Sequence, residues 1–242
     1  MSKLSTNGAV IYEGLSQLDN TTPIVAIATG IKRPSSNPKT GPMIQVWILR
    51  QDRTPHKAAH SGLDGAICGD CPLTKLVSVS GIRLRSRRCY VDTSNAPNQV
   101  WKKWNSGGYL PEFDPALSVG KSIRMGAYGD PLAVPLSSWK RILARADGWT
   151  GYTHSWRIGR FWRFRDYVMA SCETYEQHLI AKSRGWRTFQ TGSELGPDQF
   201  ICPNTTHGIT CEKCKLCSGA KIGAKSIVIA PHGGRGVMSA WN

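Results

Sequence analysis

Long apolar runs are missing from this chain of 242 residues. No uninterrupted stretch approaches the roughly 18–20 apolar residues that a helix needs to cross a bilayer. The first eight residues also lack the apolar segment of a secretory signal. We therefore expect a cytoplasmic protein that has no membrane partner.

Acidic residues are scarce. The chain has 16 Asp and Glu against 31 Lys and Arg, which gives a formal net charge of +15. A surface of that sign attracts polyanions. We expect nucleic acid or a phosphorylated ligand as the partner, and the alternative is that the charge only keeps the protein soluble.

Two catalytic signatures are absent as well. The chain contains neither the Gly-x-Ser-x-Gly turn of serine hydrolases nor the Gly-x4-Gly-Lys-Ser/Thr loop of P-loop NTPases. Those two classes of enzyme are therefore unsupported. With 40% hydrophobic and 19% charged residues, the composition is that of an ordinary folded protein.

Strand-like and helix-like segments alternate along the middle of the chain, which predicts parallel pairing and right-handed crossovers. The predicted strands cover 23–28, 43–49, 121–128, 148–154, 167–172, 186–189 and 225–230, and the predicted helices 97–104, 136–146 and 174–184. We divide the chain into an N-terminal extension (1–42), an α/β core (43–192) with a cysteine-bearing loop (50–90), and a cysteine-rich C-terminal segment with a closing strand (193–242).

Four of the eight cysteines lie close together near the C-terminus. Cys202, Cys211, Cys214 and Cys217 have the spacing C-x8-C-x2-C-x2-C, and two-residue gaps let consecutive thiolates turn toward one metal. This cysteine knuckle, residues 202–217, fits either a tetrahedral zinc or a 4Fe–4S cluster, because both take four thiolates.

A second set contains Cys68, Cys71 and Cys89, spaced C-x2-C-x17-C. Three thiolates leave one position open. The site could gain His56, His60 or Cys172 as a fourth zinc ligand, or hold a cluster whose fourth iron binds water or substrate. Cys172 follows an apolar strand, which favours a buried core thiol, and we leave it off the set of ligands.

The order of motifs resembles a phage protein family of unknown function, the "gene product eighty-eight" domain, and more distantly the radical S-adenosylmethionine (SAM) enzymes. The motifs are a cysteine-bearing loop ending in Cys89-Tyr90, then Gly126-Ala127-Tyr128-Gly129-Asp130-Pro131, Gly151-Tyr152-Thr153-His154-Ser155, Ala170-Ser171, the knuckle, and Ile227-Val228-Ile229-Ala230-Pro231-His232. The likeness covers about residues 40 to 234.

The resemblance implies a radical-SAM-like fold, that is, an incomplete and mainly parallel β/α barrel, here with a metal-binding C-terminal knuckle. In radical SAM enzymes a C-x3-C-x2-C loop holds a 4Fe–4S cluster, and a Gly-Gly-Glu-Pro motif contacts the SAM amino group. By likeness, Cys68, Cys71 and Cys89 would hold a cluster although their spacing differs. The segment Tyr128, Gly129, Asp130 and Pro131 would bind SAM.

A basic aromatic segment, residues 154–165, interleaves arginines with aromatic rings, as suits phosphate contacts and base stacking. The candidate nucleic-acid residues are Arg157, Arg160, Trp162, Arg163 and Arg165. The alternative is a connector whose aromatic rings pack on the core while its arginines face water.

Two functions therefore stay open. The first is a phage-type iron-sulfur protein with radical-SAM-like architecture that acts on nucleic acid or nucleotides in the host cytoplasm. In it, one cluster is held by Cys202, Cys211, Cys214 and Cys217, and a second cluster with an open iron is held by Cys68, Cys71 and Cys89. The second is a zinc-stabilised accessory protein that binds nucleic acid without catalysis. The sequence names neither a substrate nor a reaction.

Overall fold

A computed structural model describes residues 5–74, 78–79, 82–83, 89–219 and 224–230. The closing Pro231-His232 motif lies outside these residues. The strands are β1 (Ser5–Leu15), β2 (Pro23–Thr29), β3 (Ile44–Arg50), β4 (Ser78–Val79), β5 (Ile82–Arg83), β6 (Tyr109–Leu110), β7 (Ser122–Tyr128), β8 (Gly148–Thr153), β9 (Met169–Cys172), β10 (Thr188–Thr191), β11 (Gln199–Ile201) and β12 (Ser226–Ile229). The α-helices are α1 (Pro55–His60), α2 (Gly65–Cys68), α3 (Ala96–Asn105), α4 (Leu136–Leu143), α5 (Tyr175–Ser183), α6 (Pro203–His207) and α7 (Cys211–Cys214).

Short 3-10 turns complete the chain at Pro72–Thr74, Pro115–Ser118, Pro131–Ala133, Ser155–Arg157 and Gly159–Asp166. Among the residues described, no helix has both the length and the apolar composition that a bilayer crossing requires.

Ten strands form one sheet in the order β11-β12-β10-β9-β8-β7-β3-β2-β1-β6. All neighbours from β11 to β3 are parallel, whereas β2 runs antiparallel to both β1 and β3. Strands β4 and β5 form a separate antiparallel pair. The protein is thus α/β with a mostly parallel sheet, which confirms the coarse fold class predicted from the sequence.

Most elements lie where the hydrophobic pattern placed them, with a few shifts. The helix predicted to end at residue 146 ends at Leu143, because the chain turns back and the Asp147 N–H donates to the Lys121 carbonyl at 2.9 Å. The strand predicted from residue 186 begins at Thr188. Strand β1 was not predicted, and it pairs with β2 through a register shift between Val10 and Tyr12.

The two faces of the sheet belong to different apolar clusters. Successive residues of a strand point to opposite faces. On β9, Ala170 and Cys172 lie in the main core together with Trp139 and Ile142 of α4. Met169 instead joins Ile227 and Cys217 in a second cluster. The cysteine knuckle therefore packs on the face opposite the main core.

A buried histidine joins α5 to β10. His178 donates through Nε2 to Asp198 Oδ1 at 3.1 Å, and its Nδ1 accepts from the Thr188 hydroxyl at 2.6 Å. Lys182 pairs with the other oxygen of Asp198 at 2.9 Å. Burial lowers the pKa of His178 although the nearby Asp198 opposes the shift, so the neutral imidazole is the form that this site holds.

Candidate metal centres

The face that carries the second cluster also forms the floor of a cavity of about 130 Å³. Side chains at alternate positions of the parallel strands line it, including Arg124 and Tyr128 of β7, Tyr152 of β8 and Phe189 of β10. These strands are parallel, so their carboxyl ends open into the same space. Crevices at such ends are the usual ligand sites of α/β proteins.

Cys68, Cys71 and Cys89 all line this cavity, although 17 residues separate the last two. Cys68 ends α2, and the Cys71 N–H donates to the Cys68 carbonyl at 3.3 Å. Cys68 and Cys71 are buried and Cys89 is half-buried. The structure thus brings the three predicted cysteines to one cavity.

The histidine beside them is His154, which the sequence analysis did not assign to this site. Its Nε2 lies 3.9 Å from Cys71 Sγ and donates to Glu173 Oε1 at 2.7 Å. Burial alone would lower the pKa of His154, but Cys71 and Glu173 raise it to about 10. A cationic imidazolium therefore lies beside Cys71.

The other suggested fourth ligands lie elsewhere. His56 and His60 are exposed on α1, where their rings contact one another with centroids 4.0 Å apart. Cys172 is fully buried in the main core, and burial raises the pKa of its thiol to about 12. It has the properties of a core thiol.

The segment 128–131 also borders this cavity. Gly129 has φ +89°, and a Cβ there would lie 2.7 Å from the Cβ of Ile48, so only glycine fits. Asp130 is buried and accepts from the Leu132 N–H at 2.9 Å, the Thr153 hydroxyl at 2.8 Å and the His154 N–H at 3.1 Å.

Burial raises the pKa of Asp130, while these donors act in the opposite direction. The carboxyl group links the end of β7 to the loop that carries His154. Its visible role is to position that loop.

The cysteine knuckle forms a smaller site. Its four cysteines line one cavity of about 20 Å³, close to the volume of a single water molecule or ion. Backbone hydrogen bonds fix all four of them: the Cys202 N–H to the Val228 carbonyl at 2.8 Å, the Cys211 N–H to the Lys39 carbonyl at 2.9 Å, the Cys214 N–H to the Thr210 carbonyl at 2.9 Å, and the Gly151 N–H to the Cys217 carbonyl at 2.9 Å.

The four thiols interact electrostatically. Burial raises the pKa of Cys217 to about 12; the Tyr152 hydroxyl bonds to this thiol and opposes the shift, while the charges of Cys211, Cys202 and Cys214 add to it. A bound cation would remove the electrostatic repulsion among the four sulfur atoms.

The donor chemistry of both sets fits a thiophilic metal. All eight cysteines are present as thiols. Within the described ranges, no group of three or more His, Cys, Asp or Glu side chains stands in an arrangement that could already hold a metal ion. The suitability of each cysteine set for a thiophilic metal therefore depends on its sulfur donors, which line one shared cavity.

Arg187 is a buried cation next to the knuckle, only 4% exposed. It donates to four backbone carbonyls: Leu216 at 2.8 Å, Gly219 at 2.7 Å, Lys225 at 2.6 Å and Ala224 at 3.2 Å. It pairs with no carboxylate of the described residues. Burial lowers its pKa, and the interaction with the nearby Cys217 opposes the shift. A charged metal-thiolate centre would supply the missing counter-charge.

The basic aromatic segment combines packed rings with an exposed platform. Phe161 and Phe164 are buried. Trp162 is 51% exposed, with the guanidinium groups of Arg163 and Arg165 at 5.4 and 5.3 Å from its ring.

The two other arginines of the segment stack on rings as well. Arg157 lies 4.1 Å from the ring of the buried Trp156, and Arg160 lies 4.8 Å from the ring of Phe161. Arg160 also donates to the Gln17 carbonyl at 2.9 Å.

In comparisons with known proteins, no family model, no curated protein and no solved structure matches this chain.

Proposed function

We propose that this chain is an iron-sulfur protein with radical-SAM-like architecture, in which Cys68, Cys71 and Cys89 hold a 4Fe–4S cluster with one iron not bound by cysteine. The observation that carries the proposal is the convergence of these three thiols on one cavity at the carboxyl ends of parallel strands. In this reading the seven neighbouring parallel strands are the wall of an incomplete β/α barrel and the cavity is its interior.

Such a cluster supplies one-electron chemistry, and SAM is the co-substrate that the resemblance suggests. The chain's own residues would prepare the site. His154, held by Glu173, lies within contact distance of the Cys71 sulfur and would orient it toward the cavity. Asp130 fixes the loop that carries His154, and Gly129 lets the end of β7 pack closely against Ile48 of β3.

At the knuckle, the donor set fits one zinc ion. Four cysteines border a single small space, and four thiolates are a common ligand set of structural zinc. We therefore propose a structural zinc at Cys202, Cys211, Cys214 and Cys217, and a cluster only at the three-cysteine cavity.

Anaerobic purification, metal analysis and absorption at about 400 nm test both assignments, because thiolate-bound zinc is colourless and iron-sulfur clusters are brown. We expect Cys68→Ser/Cys71→Ser to lose the iron and colour but retain zinc. Cys211→Ser/Cys214→Ser should lose the zinc, and the matched control Cys172→Ala should keep both. A colourless wild-type protein that contains zinc alone would overturn the cluster.

The second candidate function is a zinc-stabilised protein that binds nucleic acid without catalysis. The exposed Trp162 between two arginines favours it, since a ring and two cations at the surface suit a base and its phosphates. A colourless protein whose affinity for single strands falls steeply with salt would support this function instead.

A further inference from the structure

A second and larger cleft, of about 600 Å³, adjoins the three-cysteine cavity. The two share Arg124, Tyr90 and Tyr152, while Cys202 and Cys211 of the knuckle form another wall of the larger cleft. Its volume lies within the range of roughly 300–1,000 Å³ found for small-molecule sites. The cleft therefore has room for a ligand in addition to the metals.

The charge inside this cleft is positive at its base. Arg124 is half-buried on β7 and hydrogen-bonded to Tyr90, and it forms an ion pair with no carboxylate of the described residues. Lys39 is exposed at the rim. The base and rim together offer two cations to a ligand.

The groups of opposite sign near Arg124 are already engaged. Asp92 is the acidic residue of the lining, and it accepts from the Ser94 N–H at 2.9 Å and from the Asn95 side chain at 2.5 Å. Cys211 lies near Arg124 on the knuckle wall of the cleft, and it is not a carboxylate. Arg124 thus keeps capacity for an anion.

The walls of the cleft are aromatic. Trp47 is fixed by its indole N–H, which donates to the Thr29 hydroxyl at 2.8 Å. Tyr152 is held by its contact with Phe189, with ring centroids 4.3 Å apart. Fixed rings that border a cleft offer faces on which a planar base stacks at low entropic cost.

We propose that this cleft binds a nucleoside monophosphate, with its phosphate on Arg124 and Lys39 and its base against Trp47 and Tyr152. A phosphomonoester carries a charge of about −1.5 to −2 at neutral pH, which matches two cations better than a single carboxylate does. The proposal deepens the proposed function by naming the substrate class, and it rests on that function only in calling the ligand a substrate.

Isothermal titration of the purified, metal-loaded protein with AMP, GMP, CMP and UMP tests the proposal, with adenosine and inorganic phosphate as separate probes. We expect at least one nucleotide to bind more tightly than either probe. Arg124→Gln should weaken nucleotide binding about 10- to 100-fold, because a charge-assisted contact is lost, and leave adenosine binding unchanged. Trp47→Leu should weaken the nucleotide and adenosine alike.

Arg145→Gln is the matched control, since Arg145 is exposed and outside the cleft, and it should bind as the wild type does. Melting curves and metal content of each variant separate loss of the site from loss of the fold. The proposal is overturned if no nucleotide binds at millimolar concentration, or if a folded Arg124→Gln protein binds as tightly as the wild type. A colourless protein that still binds the nucleotide through Arg124 would overturn the cluster and leave the nucleotide site standing.

Discussion

Arg187→Met is the substitution that most directly tests the charge balance of the cysteine knuckle. The wild-type guanidinium donates to four carbonyls, two of which, those of Leu216 and Gly219, flank Cys217. Methionine keeps most of the apolar stem but removes the charge and every donor. The carbonyls then lose their partners in a buried site.

The magnitude follows from those contacts. A hydrogen bond to a charged group contributes about 1.5–3 kcal/mol, and neighbouring bonds are not additive, so we expect about 3 kcal/mol of destabilisation. At this chain length that lowers the melting temperature by roughly 6–12 °C. Loss of an outer-sphere partner typically weakens metal binding 10- to 100-fold, which is the change expected for zinc at the knuckle.

Competition with a chromogenic chelator measures the zinc affinity, and thermal melts measure stability. Arg187→Lys separates the two roles, because it retains the charge but loses the forked geometry. It should therefore keep a higher zinc affinity than Arg187→Met, but its melting temperature should lie below that of the wild type. Arg145→Met, at an exposed position, is the control for the loss of one positive charge. If Arg187→Met binds zinc as tightly as the wild type, Arg187 does not act as a counter-charge. Its role is then limited to its hydrogen bonds to the four carbonyls.

Three further outcomes are expected. Asp130→Ala should destabilise the fold by about 3–5 kcal/mol in denaturant titration, since it strips a buried carboxyl from several donors; an effect under about 1 kcal/mol would contradict its positioning role. Trp162→Ala should weaken single-stranded DNA binding by roughly 1–3 kcal/mol with little change in melting, and Arg163→Gln/Arg165→Gln should reduce the log-log salt slope by about two units; an unchanged slope would refute phosphate contacts. The lowered pKa of His178 means that the unfolded chain takes up the proton first as pH falls, so stability should be full above the unfolded pKa of about 6.5 and decline below it. In His178→Gln the melting temperature should fall less between pH 7.5 and pH 5.5, values that bracket this pKa by about one unit on each side, and an equal fall in both proteins would contradict the assignment.

The class of fold and the members of both cysteine sets could be predicted from the order of residues alone. The period of apolar residues records whether a segment is a strand or a helix, which is why β2, β3, β7, β8, β12 and α5 lie close to their predicted positions. Strand β1 was not predicted because it contains Gly8 and Gly14 and carries a bulge, and both features weaken the alternation of apolar and polar residues.

Which distant side chains meet depends on the folded chain and could not be predicted from local patterns. His154 lies beside Cys71 across 83 residues of sequence, and Arg187 reaches carbonyls 29 to 38 residues away. The division of the two cysteine sets into a larger cavity and an ion-sized one likewise depends on packing against the face of the sheet that carries Tyr152. The local period of apolar residues indicates whether a segment is a strand or a helix and which of its faces is buried. It holds no information on which distant loops come together where parallel strands align their carboxyl ends.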